Sequence, residues 1–157
     1  MSAPTPASKL DTSVKPIAKP SLTLKRRFAA PAEKVYAAWT QPAQLMRWFG
    51  PDRGPVHDAQ TDVRVGGRFS VSFSTEDGER HNVSGEYREV VPNERLAFTW
   101  QWITMPERQS YVIVTIKPDG DGCILTLHHE QFFDEAARDG HKAGWTGTLE
   151  KLARVVE

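Results

Sequence analysis

The chain has 157 residues, 39% of them hydrophobic and 25% charged, which is the size and composition of one ordinary globular domain. Its 20 basic residues balance its 20 acidic residues, so no net charge attracts it to nucleic acid or to an anionic membrane. No apolar run approaches the roughly 18 residues that a membrane-spanning helix requires. The composition therefore argues against a nucleic-acid partner and against a membrane span.

Residues 1–20 differ in composition from the rest of the chain. They include four prolines but no glycine and no aromatic residue. Such a segment buries too little apolar surface to offset the entropy cost of ordering it, and it lacks the apolar core of a signal peptide. We therefore expect a disordered tail over residues 1–20 and one domain over residues 21–157.

The first element of the domain is a predicted strand over residues 21–29. Leu22, Leu24 and Phe28 share one parity there, which is the alternation of a half-buried strand. Arg26 has the same parity, so it either faces the interior or marks a bend. Two short helices are predicted next, opened by Pro31 and Pro42, because proline is well tolerated at the first position of a helix.

Six further strands are indicated by two-residue alternation between turn signals. The clearest is residues 68–75, where Phe69, Val71 and Phe73 alternate with serines. Their predicted ranges are 59–65, 68–75, 81–90, 95–102, 110–117 and 123–130. Short turns join them, which favours antiparallel pairing.

The single cysteine, Cys123, begins the last of these strands and has no partner for an internal disulfide. This fits a reducing compartment, and we expect the protein in the cytoplasm. A buried structural cysteine is favoured over a catalytic thiol, because no base or helix N-terminus that would lower its pKa is evident nearby.

The chain ends in a predicted amphipathic helix. Trp145, Leu149, Leu152 and Val156 recur at spacings of three and four residues, with charged residues on the opposite side. Glycines between residues 140 and 147 weaken its first half. Because this helix is the only long one available to cover the apolar face of the sheet, we predict an α+β fold. A curved antiparallel sheet of about six to seven strands would wrap around it, with two short helices after the first strand.

Three segments carry a resemblance to a known family: PAEKVYAAWTQPAQLMRWFGP, DVRVGGRFSV and GHKAGWTGTLEKL. Together they resemble domains similar to the C-terminal domain of the activator of Hsp90 ATPase, part of the START-like (SRPBCC) superfamily with its helix-grip fold. The resemblance covers residues 22–156. It implies a cavity between the sheet and the long helix, which the superfamily uses for lipids, sterols, polyketides and other apolar ligands.

The inward parity of successive strands, with the facing helix residues, predicts the walls of that cavity. The predicted ligand-binding residues are Trp48, Phe73, Tyr87, Phe98, Trp100, Val114, Leu127, His129 and Trp145. Large rings dominate the set, so we expect the site to be mostly apolar.

Few residues point to chemistry. His129 could transfer a proton or could be a structural histidine, and His128 beside it must face the other side of the strand, so the pair cannot hold one metal ion. Arg26 needs an anionic partner, either Glu130 or Glu86 or a group on the ligand. No nucleophile–base pair and no phosphate-binding loop is recognisable, so neither a metal nor a cofactor is predicted.

The leading hypothesis is a module that binds a small, largely apolar ligand, with one polar group recognised by Arg26, Tyr87 or His129. One alternative is an enzyme of the cyclase or dehydratase type acting on a polyketide-like or aromatic substrate, in which these three residues would be catalytic. Another is a chaperone-linked protein-interaction or stress-response role. The sequence leaves a protein partner and a homodimer open.

Deleting residues 1–20 should leave the thermal midpoint of the domain within a degree or two, because this segment is expected to bury almost nothing. Calorimetry on the full chain and on the truncated chain measures the difference. A loss of several degrees would show that the segment packs on the domain.

Overall fold

The computed structural model describes residues 19–50 and 55–157, which form seven strands and three helices. The predicted tail lies outside the described residues except for Lys19 and Pro20, and residues 51–54 lie outside them as well. The elements are β1 (Leu22–Phe28), α1 (Ala32–Thr40), α2 (Pro42–Trp48), β2 (Val56–Thr61), β3 (Arg68–Ser74), β4 (Arg80–Val91), β5 (Arg95–Trp102), β6 (Ser110–Asp119), β7 (Gly122–Glu130) and α3 (Glu135–Val156).

All seven strands belong to one antiparallel sheet in the order β1-β7-β6-β5-β4-β3-β2. The first strand therefore pairs with the last, with Leu22 opposite His129 and Phe28 opposite Cys123. The two short helices connect β1 and β2, which form the two edges of the sheet. The α+β helix-grip architecture predicted from the sequence is confirmed.

The long helix α3 covers the apolar face of the sheet. The predicted buried stripe is correct, because each of its four residues is at most 4% exposed: Trp145, Leu149, Leu152 and Val156. The helix begins after Asp134, whose carboxylate accepts a hydrogen bond of 2.8 Å from the Ala137 N–H and so satisfies one of the free donors of the first turn.

The prediction for the second strand was wrong at both ends, since β2 spans Val56–Thr61 instead of residues 59–65. A tight turn replaces its predicted second half, where the Asp62 N–H donates to the Arg68 carbonyl at 2.9 Å. A Cβ atom on Gly67 would lie only 2.0 Å from the Asp62 carbonyl oxygen, so only glycine fits this close approach of two backbone segments. The turn is therefore longer than the Gly66-Gly67 pair alone suggested.

The buried stripe of α3 predicts opposite effects for two substitutions on this helix. Leu152→Ala should lower the free energy of unfolding by about 2–5 kcal/mol, because Leu152 is fully buried. Gly147→Ala should raise it by up to about 1 kcal/mol, because an added Cβ meets no atom within 4 Å and alanine favours the helix. Urea denaturation measures both, and a neutral Leu152→Ala would contradict the packing described.

Candidate functional site

A cleft of about 580 Å³ opens between the first half of α3 and one end of the sheet. The end of β3, the start of β4 and the end of β5 form one side, together with the β3–β4 hairpin and the β5–β6 loop. Its lining residues are Phe49, Gly50, Phe73, Thr75, Glu79, Arg80, His81, Trp100, Trp102, Thr104, Met105, Arg108, Ala136, Ala137, Gly140, His141, Gly144, Trp145 and Thr148.

Five aromatic residues in mutual contact form the inner wall of the cleft. The Trp100 ring centroid lies 5.1 Å from that of Trp145 and 5.6 Å from that of Trp102. Phe73 approaches Trp102 at 6.0 Å, and Phe49 approaches Phe73 at 6.1 Å. Most of these contacts are tilted or edge-to-face, which leaves ring faces and edges available to an apolar ligand.

Small residues on α3 make the space for the cleft. Gly140 and Gly144 both line it, and a Cβ added at either position would meet no atom within 4 Å. Glycine weakens a helix by up to about 1 kcal/mol relative to alanine, so the sequence alone marked these residues as weak points. In the structure they keep one stretch of the helix free of side chains that would fill the cleft.

His141 connects α3 to the sheet, and it is not among the residues predicted from the sequence. Its Nδ1–H donates to the Ala137 carbonyl at 2.8 Å, because a carbonyl can only accept. Its Nε2 accepts from the indole N–H of Trp102 at 3.0 Å and from that of Trp100 at 3.3 Å. Only the neutral Nδ1–H form of the ring makes all three bonds. Its position four residues before Trp145, on the same face of the helix, was the signal that could have identified it.

His129 makes a second link of the same kind. Its Nδ1 accepts a hydrogen bond of 3.0 Å from the Trp145 indole N–H, which is only a donor. Its Nε2–H therefore donates to the Ser110 hydroxyl oxygen at 2.7 Å. The side chain is fully buried, and both ring nitrogens are used within the protein.

Both links depend on neutral imidazoles. Burial lowers the pKa of His129 well below its usual 6.5, and the neighbouring His141 and His128 lower it further. Burial also lowers the pKa of His141, although its hydrogen bond to the Ala137 carbonyl opposes the shift. At neutral pH each ring therefore keeps the lone pair that accepts from tryptophan.

The nine residues predicted to bind a ligand fall into three places. Phe73, Trp100 and Trp145 line the cleft. Tyr87 and Phe98 border a separate interior void of only about 20 Å³, which Trp100 also reaches. The remaining four are buried and do not line the cleft: Trp48, Val114, Leu127 and His129.

The interior behind the cleft is nearly filled. A void of about 20 Å³ has room for about one water molecule, so this void is far smaller than the cleft at the end of the sheet. Trp39 borders this void, and its indole N–H is buried without an acceptor among the described residues.

The structure does not bring together the three residues considered for catalysis. Tyr87 on β4 and His129 on β7 lie in one row across the sheet, in which the cross-strand partners between them are Phe98 and Val112. Three strand spacings of about 4.8 Å therefore separate Tyr87 from His129. Arg26 lies on β1 at the far edge of the sheet, with its guanidinium carbon 5.6 Å from the centroid of Phe28.

The expected charge partners of Arg26 are engaged elsewhere. Glu130 contacts His128 at 3.1 Å, and Glu86 contacts Arg88 at 3.6 Å. The Arg26 Nε is buried and has no acceptor among the described residues. Burial raises the pKa of Tyr87, which keeps its phenol neutral, so this side chain does not supply a negative charge near neutral pH.

Four charged or titratable side chains at the cleft entrance were not selected from the sequence: Glu79, Arg80, His81 and Arg108. Glu79 lies in the β3–β4 hairpin and Arg108 in the β5–β6 loop, where no two-residue alternation applies, whereas Arg80 and His81 begin β4. Among the described residues, no group of three or more His, Cys, Asp or Glu side chains could hold a metal ion. No helix in the described ranges is long and apolar enough to cross a membrane.

Comparisons with known proteins agree with this architecture. Residues 29–157 match the family model described as Activator of Hsp90 ATPase homolog 1-like protein. The chain belongs to this family. A comparison with curated proteins gave no match.

Solved structures show the same fold in bacterial relatives. Protein CV1439 from Chromobacterium violaceum is 29% identical, with a TM-score of 0.79 and coverage of 88% of this chain and 98% of that one. The AHSA1 (SPO3351) protein from Silicibacter pomeroyi is 31% identical, with a TM-score of 0.76 and coverage of 86% and 96%. This member of the Activator of Hsp90 ATPase homolog 1-like family thus shares its fold over nearly the full length of its relatives.

The two neutral histidines predict that stability depends on pH. In the unfolded chain both histidines bind a proton as the pH falls below about 6.5. In the folded protein the pKa values of His129 and His141 are lowered, so both rings stay neutral to a lower pH. Stability should therefore be full above pH 6.5 and fall below it, by up to about 1.4 kcal/mol per pH unit for each histidine.

Urea denaturation between pH 7.5 and pH 5 measures this slope. His141→Gln is the matched variant, because its amide oxygen can still accept from an indole N–H while the side chain no longer titrates. The variant should show a shallower slope than the wild-type protein. Equal slopes would contradict the assignment of His141.

Proposed function

We propose that this protein binds a small, largely apolar molecule with a flat or ring-containing body in the cleft between α3 and the end of the sheet. The observation that carries the proposal is the open cleft of about 580 Å³ with five aromatic residues on its inner wall. Its volume lies in the range of about 300–1,000 Å³ that is typical of small-molecule sites.

The hydrogen bonding of the wall supports an apolar ligand. The indole N–H groups of Trp100 and Trp102 are both directed to His141, and that of Trp145 is directed to His129. The inner wall therefore presents aromatic surface without free indole donors. A ligand body with many polar groups would lose its bonds to water there without replacing them, at a cost of about 1–3 kcal/mol per group.

No observation favours the cyclase or dehydratase alternative over binding. An enzyme of that type needs at least two polar groups that converge on the substrate, whereas Arg26, Tyr87 and His129 lie apart and do not line the cleft. We propose the cytoplasm as the location, on the basis of the single Cys123, which is buried and unpaired.

The glycines of α3 allow a direct test with the neutral fluorescent probe N-phenyl-1-naphthylamine. Gly144→Leu places a side chain into the open space of the cleft, whereas Gly147→Leu makes the same change at a glycine that does not line it. Both substitutions favour the helix, so a difference between them reports on the cleft and not on helix stability.

We expect the wild-type protein and Gly147→Leu to bind the probe with similar affinity. Gly144→Leu should bind it at least about tenfold more weakly, which is a loss of about 1.4 kcal/mol or more in binding free energy. Fluorescence titration measures the three dissociation constants, and thermal midpoints establish that all three proteins are folded. If the wild-type protein does not bind, or if Gly144→Leu binds equally well, the proposed function is wrong.

A further inference from the structure

We propose that the ligand is an amphipathic anion, with its apolar body in the cleft and a carboxylate or similar acidic group held at the entrance by Arg80 and Arg108. This inference rests on the proposed function and adds the chemical class of the ligand. It also replaces Arg26, the arginine that the sequence suggested, with two others that line the site.

The charges at the entrance favour an anion. The lining residues include the two arginines and a single carboxylate, that of Glu79. The Glu79 carboxylate lies 3.8 Å from the His81 ring, which lies on the same side of the cleft. No other carboxylate lines the cleft among the described residues, so positive charge exceeds negative charge among the side chains that line it.

Both arginines have donors available. The Arg80 Nε–H donates to the Ser72 hydroxyl at a long 3.4 Å, and among the described residues neither arginine lies within 4.0 Å of a carboxylate. Each guanidinium carries five N–H donors in a fixed fork that matches the two oxygens of a carboxylate.

The position of Arg108 is fixed by an aromatic contact. Its guanidinium carbon lies 3.9 Å from the centroid of Phe133, a ring that is 59% exposed. This cation–π contact holds the guanidinium near the entrance without using its N–H donors, which lowers the entropy cost of binding an anion. Orientation of Arg108 thus accounts for the exposed position of Phe133.

The cleft is apolar inside and charged at its entrance, which matches an amphipathic molecule. Inside, the indole donors are occupied by two neutral histidines, so the wall offers no charge to an acidic group. Outside, the arginines offer charge beside solvent, where an anion keeps part of its hydration. A neutral molecule would leave the arginines unused, and a highly charged molecule would gain little from the aromatic wall.

Two fluorescent probes with the same anilinonaphthalene body test this inference: 8-anilino-1-naphthalenesulfonate, which is anionic, and N-phenyl-1-naphthylamine, which lacks the acidic group. The test variant is Arg80→Gln with Arg108→Gln. The matched control is Arg68→Gln, which also removes positive charge on the surface but lies at the other end of β3 from the cleft.

We expect the double variant to bind the anionic probe at least about tenfold more weakly than wild type and the neutral probe within about twofold. Arg68→Gln should change neither affinity by more than about twofold. Raising the salt concentration from about 0.05 M to about 0.5 M should weaken binding of the anionic probe alone, because the Debye length shortens from above to below about 10 Å. Dodecanoate should displace the neutral probe more strongly from wild type than 1-dodecanol does, and the double variant should lose this preference.

The outcomes separate the two proposals. If the neutral probe binds in the cleft but the anionic probe is insensitive to the double substitution, the anionic class is wrong and the proposed function stands. If dodecanol displaces the probe as well as dodecanoate, the class is likewise wrong. If neither probe responds to Gly144→Leu, the cleft itself is not the binding site.

Discussion

The attachment of α3 to the sheet depends on two imidazoles that stay neutral. His141 accepts from Trp100 and Trp102, and His129 accepts from Trp145, so three buried or half-buried indole N–H groups find partners in two side chains. Leaving one such donor unpaired would cost about 1–3 kcal/mol. Histidine suits this role because a neutral ring has one acceptor and one donor, and the donors here return to the Ala137 carbonyl and to Ser110. Protonation of either ring would place an N–H against an indole N–H, so burial and hydrogen bonding both favour the same state.

This arrangement decides what kind of space the fold can offer. Along the middle of the sheet the rings pack until only about 20 Å³ remains, whereas at its end α3 presents Gly140 and Gly144 and the walls separate. Because the indole donors are already bonded within the protein, the walls of that space act as aromatic surface. The charged side chains that line the cleft, Glu79, Arg80 and Arg108, lie outside this aromatic wall. The same contacts that hold the helix in place thus set the division between an apolar interior and a charged rim.

The sequence predicted the fold better than the site because the two depend on different information. Alternation identifies which face of a strand is buried, and it correctly placed Phe73 and Trp100 on the inner side. Parity cannot distinguish a residue in the packed core from one that borders open space, so Val114 and Leu127 were selected although both are fully buried and neither lines the cleft. That difference arises from the curvature of the sheet and from where α3 lies. The residues at the entrance escaped selection for a second reason, because hairpins and loops carry no periodic signal that would give the direction of Arg108.

The glycines of α3 connect the cleft to the stability of the helix that borders it. Each costs the helix up to about 1 kcal/mol relative to alanine, and neither Gly140 nor Gly144 supplies a side chain to contact the sheet. The contacts that hold the first half of α3 include its Asp134 cap, the bonds of His141 and the bond of Trp145. A molecule in the cleft would add apolar contacts along the part of the helix that lacks them. Because such a molecule binds only the folded protein, it stabilises that protein in proportion to the logarithm of its concentration relative to its dissociation constant. The same two glycines thus create the open space and weaken that half of the helix, and a ligand bound as proposed would also restore the missing packing.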